Sequence, residues 1–385
     1  MRLGKLLGWT LGICGIFVAM LLASCGGSGG GSNGPVVGTT KSVALDGGQV
    51  MPAGVATATA GQGFVTVDES SGRIAGSVTL TFGSTATAAQ IHAGAAGTDG
   101  PLLVDLFQSS PGVWVVPENV SLTPTQVAAF DNGQLYILVQ SSAHPNGEIR
   151  GQVGRMVFFA TLTGAQEVPA NASAATGVGM WVFDPVTKVI SGTETVTGMT
   201  ATVSHFHQGP VGVVAPVAIP FTGGPTTWTL PPTTLTDAQV TALLSGGFYA
   251  NAHSAQFPGG EIRGQVYQPT KCTTLTGQQE TPPNNSAATG TGCAGVNPFT
   301  KAVASRIETQ GIVATLAHIH QGPPGVVSPV IVPMSQTSPG IWVSGANAAF
   351  TDAQLNAFIT GGTYLNVHSA ALPVGEIRGQ LVNGQ

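Results

Sequence analysis

The sequence predicts an all-β protein made of three tandem antiparallel β-sandwich or barrel domains, each with one short helix. Three observations carry that prediction. Glycine supplies 55 of 385 residues and proline 26, while charged side chains make up only 8%; this composition suits short strands joined by many turns and fits helical bundles and coiled coils poorly. Two independent sequence markers recur with one period. Between turn residues, the side chains alternate in the period-2 manner of strands.

The period is set first by three near-identical segments, Gly147-Glu148-Ile149-Arg150-Gly151-Gln152, Gly260-Glu261-Ile262-Arg263-Gly264-Gln265 and Gly375-Glu376-Ile377-Arg378-Gly379-Gln380. The last histidine of Gln90-Ile91-His92, His205-Phe206-His207 and His318-Ile319-His320 returns at the same interval of about 114 residues. That interval is too long for a solenoid unit and matches an independent domain. The expected domains are residues 43–154, 155–268 and 269–385, joined by only a few residues.

Within the second unit, Gly177 to Phe183, closed by Asp184-Pro185, and Val189 to Val196, closed by Gly198, read as strands. The single helical signal is Thr236 to Leu244, with a capping-type start, apolar residues at 240, 243 and 244, and a stop at Gly246-Gly247. Seven or eight strands and one helix per unit imply an antiparallel sandwich or barrel.

The N-terminus reads as an export address. Arg2 and Lys5 precede an apolar stretch from Leu6 to Leu22, followed by Leu22-Ala23-Ser24-Cys25, so residues 1–24 have the layout of a secretory signal. The alternative, an uncleaved membrane anchor, has a stretch slightly short of the ~20 residues a span requires. A cysteine directly after Leu-Ala-Ser resembles the lipobox of bacterial lipoproteins, which implies a lipid on Cys25. Residues 25–42, rich in Gly and Ser, read as a flexible tether. No acidic residue follows Cys25, which by resemblance to Gram-negative sorting rules favours the outer membrane. The membrane is then a partner through this anchor alone. With Cys14 in the signal and Cys25 carrying lipid, Cys272 and Cys293 remain, and in an oxidising envelope a disulfide between them is expected over a metal or redox role. Twelve Lys plus Arg, thinly spread in a chain of net charge −5, leave no basic face for nucleic acid.

Leu-Thr-Gly-x-Gln-Glu, Ala-Ala-Thr-Gly, His-x-His-x-Gly-x-x-Gly and Tyr-x-Asn-x-His, ending in Gly-Glu-Ile-Arg-Gly-Gln, together resemble the CHRD domain, named from the extracellular antagonist chordin. The resemblance covers nearly all of residues 43–383 in three copies. It implies an all-β extracellular module, frequent in exported bacterial proteins, without an established general activity; chordin's growth-factor binding is not carried over. The first copy departs most: Val50 replaces Glu167 and Glu280, Gln90 replaces the first histidine, and Leu138 and Gln140 replace the Asn and His of Tyr-x-Asn-x-His.

All eight histidines fall in repeated motifs. On a strand, residues two apart share a face, so His205 with His207 and His318 with His320 point together, and His253 or His368 on a later strand can join them. Three converging imidazoles would make an open Cu or Zn site. The alternative is a buried polar network involving Asn, main chain and the pairs Glu148/Arg150, Glu261/Arg263 and Glu376/Arg378, whose members, two apart, are expected to face one another. The histidine strand also resembles the copper strand of Cu/Zn superoxide dismutases, but that enzyme type needs about six His plus an Asp and no unit here exceeds three His. Ser204 beside His205 and Ser254 beside His253 fall on opposite strand faces, which excludes a simple nucleophile pair. The turns at His207 to Gly212 and His320 to Gly325, with Trp228 and Trp342 in later segments, are either ligand-facing loops or structural turns with core tryptophans. The sequence therefore points to an exported cell-envelope lipoprotein acting as a non-catalytic binding or structural module for a surface protein or glycan. The alternative is a Cu- or Zn-binding protein or metalloenzyme.

Overall fold

The computed structural model of the chain describes residues 34–82 and 86–382. The expected signal peptide, Cys25 and most of the expected tether lie outside these residues. Val36–Gln385 forms one compact unit; its described residues form antiparallel strands joined by turns, with three eight-residue α-helices among them, α1 (Pro124–Asp131), α2 (Asp237–Leu244) and α3 (Asp352–Ile359). The first strand, Thr39–Leu45, begins inside the segment assigned to the tether, because its alternating burial already pairs it with Gly61–Val67.

The third domain is a closed eight-stranded barrel. Around it run Thr270–Thr276, Thr289–Val296, Val303–Gln310, Ile341–Ser344, Val330–Ser338, Ala314–Gln321, Thr363–Ser369 and Ile377–Gln380. The second domain has the same order, but the strand that closes the ring is divided into Val217–Pro220 and Thr222–Gly223 around buried Phe221, so its nine strands form one open sheet. In the first domain the equivalent break falls between Leu102–Asp105 and Phe107–Ser110, and the strands separate into sheets of five and four.

Each helix starts at a reciprocal capping box, Thr123 with Gln126, Thr236 with Gln239 and Thr351 with Gln354, which satisfies two otherwise orphaned amide donors per helix. Lys41 and Lys271, on the first strands of domains one and three, end the opposite pole: each ammonium donates to the last carbonyls of its helix, Phe130 and Asp131 or Phe358 and Ile359. Cys272 and Cys293 face each other across adjacent strands and are joined by a disulfide. Trp114, Trp228 and Trp342 are all buried at equivalent places, so the tryptophans fill cores rather than line loops.

The three domains pack against one another. The turn Asn297-Pro298-Phe299 of domain three forms a wedge: Asn297 donates to the carbonyl of Ala53 in domain one, Thr161 of domain two donates to the carbonyl of Pro298, and Phe299 meets Phe159 edge-on at 6.3 Å. Phe159 and Tyr267 of domain two belong to the same apolar cluster as the core of domain three. A Cβ at Gly295 would lie 1.9 Å from the carbonyl oxygen of Thr57 in domain one, so only glycine permits that approach.

One core differs in chemistry. Glu194 is fully buried where the other barrels place Val78 and Ile307, and Ser204, where they place Ala89 and Ala317, donates to it at 2.8 Å. Burial raises the Glu194 carboxyl to about 7, only partly offset by that hydrogen bond. The folded chain therefore holds a proton that the unfolded chain has lost, and this group's contribution to stability falls as pH rises from about 4.5 through 7. Glu194→Gln should gain on the parent protein by ~2 kcal/mol more at pH 8 than at pH 5, measured as paired denaturant unfolding curves. Glu194→Ile with Ser204→Ala, which installs the pair of domain three, should raise the melting temperature at pH 8.

Candidate functional site

The histidines converge as strand geometry requires. In domain two, Ala201–Gln208 pairs with Phe248–Ser254, with His205 opposite Asn251 and Val203 opposite His253. The His205 ring lies 5.1 Å from that of His207 and 4.7 Å from that of His253, centroid to centroid. Domain three repeats the register, with His318 opposite Asn366 and Leu316 opposite His368, and ring distances of 5.5 Å to His320 and 5.1 Å to His368. In each triad, one ring nitrogen per histidine lies within 4.8 Å of the others.

The main chain fixes how four of these rings are protonated. Nδ1 of His207 contacts the carbonyl of Ala215 at 2.7 Å and Nδ1 of His253 that of Pro258 at 3.0 Å. His320 and His368 do the same with Ser328 at 2.7 Å and Pro373 at 3.1 Å. A carbonyl only accepts, so Nδ1 carries the hydrogen and Nε2 of the neutral ring presents a lone pair to the triad. Burial, then the charges of their two neighbours, lowers His205 and His318 to about 4. Desolvation also lowers His207, His253, His320 and His368. At neutral pH the triads are thus uncharged imidazoles. Nδ1 of His205 and Nε2 of His207, His253 and His320 are buried with no hydrogen-bond partner among the described residues; Nδ1 of His318 lies 3.3 Å from Nε2 of His368.

Beside each triad is a buried arginine clamp. The Arg263 guanidinium lies 3.5 Å from the centre of the Tyr249 ring and donates to the carbonyls of Pro210 and Val213, both at 3.0 Å. Arg378 does the same with Tyr364, Pro323 and Val326. Arg150 does so with Tyr136, Ala95 and Thr98, and adds a 3.4 Å ion pair to exposed Asp99. Two residues on, Gln152, Gln265 and Gln380 each donate to two glycine carbonyls, one in that same loop and one just after the helix. The same tyrosines stack flat on the second histidine of the triad, Tyr249 on His207 at 4.6 Å and Tyr364 on His320 at 4.8 Å.

The expected Glu–Arg pairs do not form. Glu148 accepts from Thr57 and Thr59, Glu261 from Ser173, and Glu376 from Ser286. The reason is local. Each glutamate precedes its strand, which begins at Ile149, Ile262 or Ile377, directly after a glycine with φ of +131°, +129° or +140°, so the two-residue alternation that would align Glu with Arg has not yet started. A Cβ at Gly260 would also lie 2.7 Å from the carboxylate of Glu167, which accepts from Asn251, so that carboxylate would have to shift. Burial raises Glu167 to about 7, and Glu280, which accepts from Asn366, shifts the same way.

Domain one keeps the frame and changes the contents. His92 retains its carbonyl contact, to Gly100 at 3.0 Å, and its stack on Tyr136, but its Nε2 faces Oε1 of Gln90 at 3.2 Å. Gln140 takes the register position of His253 and His368, opposite Ala88. The Glu–Asn pair becomes Val50 and Leu138, which pack beside Gly147. The tyrosines were not singled out from the sequence. Their signal was available, since Tyr136, Tyr249 and Tyr364 survive in all three copies while the Asn and His beside them do not.

Three antiparallel β domains, each with the buried arginine of its terminal Ile-Arg-Gly-Gln strand clamped over a tyrosine of the neighbouring strand, define a repeated β module. The CHRD domain family matches at residues 41–153, 158–266 and 272–381, and the chain belongs to that family with three tandem copies. No curated protein matches the chain.

If the clamp holds the loop through directed hydrogen bonds, lysine cannot replace arginine. Arg378→Lys should cost about 3 kcal/mol, because one ammonium cannot reach both the Pro323 and Val326 carbonyls while covering Tyr364. Thermal unfolding should show the loss, and hydrogen exchange should rise in residues 321–329 first.

Proposed function

We propose that this chain is an exported cell-envelope lipoprotein, held by lipid on Cys25 and favouring the outer membrane, whose three CHRD domains serve as a non-catalytic binding or structural module for a protein or glycan at the cell surface. The observation that carries this reading is a pair of equivalent loops. In domains two and three the segment after the histidine strand exposes a cluster of valines, Val213, Val214 and Val217 and again Val326, Val327 and Val330, with Val214 68% and Val327 70% exposed. Each loop is held from beneath by the arginine clamp, so binding would not have to order it. Exposed apolar side chains on preformed, repeated loops are a pattern of recognition surfaces.

The groups that catalysis would recruit are otherwise engaged. Ser204 donates to Glu194 and to the Asn251 carbonyl, and Ser254 accepts from the Phe257 amide. Metal binding by the histidine triads is compatible with a module of this kind.

Val214→Asp with Val327→Asp should reduce binding of the purified protein to isolated cell envelopes at least tenfold with unchanged melting temperature, and Cys25→Ser should release the protein from the membrane fraction. Unchanged envelope binding by the valine variant would overturn the loop reading; retention of the serine variant in membranes would overturn the lipid anchor.

A further inference from the structure

We propose that domains two and three each hold one late first-row transition-metal ion, copper or zinc, on three imidazole nitrogens: Nδ1 of His205 with Nε2 of His207 and His253, and Nδ1 of His318 with Nε2 of His320 and His368. This goes beyond the binding-module reading and stands or falls separately from it.

The argument begins with lone pairs. The Ala215 and Pro258 carbonyls fix the Nδ1 hydrogens of His207 and His253 and leave both Nε2 atoms unprotonated, and one nitrogen of each of the three rings lies within 4.8 Å of the others. His207 is only 8% exposed, and none of the three facing nitrogens has a hydrogen-bond partner among the described residues. Buried acceptors crowded together without a donor are costly, and a shared cation removes that cost. The carbonyl contacts on the far nitrogens are the outer-sphere support that orients metal-bound imidazoles and raises their basicity. Donor atoms within 4.8 Å of one another would draw closer around a shared ion to reach the ~2.0–2.1 Å metal–nitrogen distance of zinc sites.

Ligand chemistry selects the ion. The set contains neither carboxylate nor thiolate, which disfavours magnesium, calcium and iron–sulfur centres, while imidazole suits copper and zinc and the general affinity order places Cu²⁺ above Zn²⁺. Three protein ligands leave a coordination position for water or another small donor. Domain one is an internal control, because Gln90 and Gln140 stand at two of the three ligand positions and the remaining Nε2 of His92 faces Oε1 of Gln90 at 3.2 Å. Pro145 stands where Pro258 and Pro373 supply their carbonyls, so the outer support for a third site is in place.

The test uses the full chain, purified in detergent without a polyhistidine tag, stripped with chelator and titrated with CuSO₄ or ZnCl₂ against a competing chelator. Two equivalents are expected, with copper held more tightly, falling to one in His207→Gln and to none in His207→Gln/His320→Gln. Copper-loaded protein should show nitrogen superhyperfine structure in its electron paramagnetic resonance spectrum. Gln90→His/Gln140→His should raise the stoichiometry from two to three, and this gain decides the matter if the double glutamine variant fails to fold. Absence of saturable binding, or two equivalents persisting in a folded double variant, would overturn the proposal.

Discussion

The arginine of the terminal strand is the constraint on which the rest of each domain depends. It is a buried cation whose main partners are not carboxylates but two backbone carbonyls and the face of a tyrosine. A charge in that position must have its hydrogen bonds met by the loop, or the strand cannot stay inside. The loop is thereby given one shape, and the carbonyl it presents next, that of Ala215 or Ser328, sets the protonation of the neighbouring histidine. Strand, loop, tyrosine and imidazole therefore form one connected arrangement. Asp99 gives Arg150 an exposed extra partner in domain one, while the shape of the clamp is unchanged.

The three copies show which positions vary together. Glu167 with Asn251 and Glu280 with Asn366 are polar pairs whose position is filled by Val50 and Leu138 in domain one; both members change, so no half-satisfied group remains. Glu194 and Ser204 are the reverse case, a polar pair in domain two where its sisters are apolar. The lysine that ends the helix in domains one and three, Lys41 or Lys271, is replaced by buried Phe158 in domain two. The clamp residues do not vary in this way.

Much of the fold was legible in the sequence because repetition revealed it. The period, the strand content and the capping box at Thr236 are local signals, and the His-x-His spacing was enough to place two imidazoles on one face. The third histidine was reachable only by assuming which strands pair. Long-range partners were the illegible part. Nothing near Arg263 in the chain announces the Pro210 and Val213 carbonyls some fifty residues earlier, and the Glu–Arg pairing was misjudged because strand alternation was extended one residue into a turn governed by Gly260. The contact of Asn297 with Ala53, 244 residues apart, has no sequence signature at all.

That last contact bears on the order in which the molecule can be completed. A chain made from its N-terminus exposes the Ala53 turn, Phe159 and Thr161 before the Asn297-Pro298-Phe299 wedge exists to cover them. Until the final third has been made, the earlier two thirds carry an unsealed apolar seam. A chain cut after residue 268 would keep that seam permanently, with Tyr267 at its edge. Such a fragment is expected to self-associate even though the strands of both its domains are all present. The seam is therefore closed in the triple array and left open in the first two repeats alone.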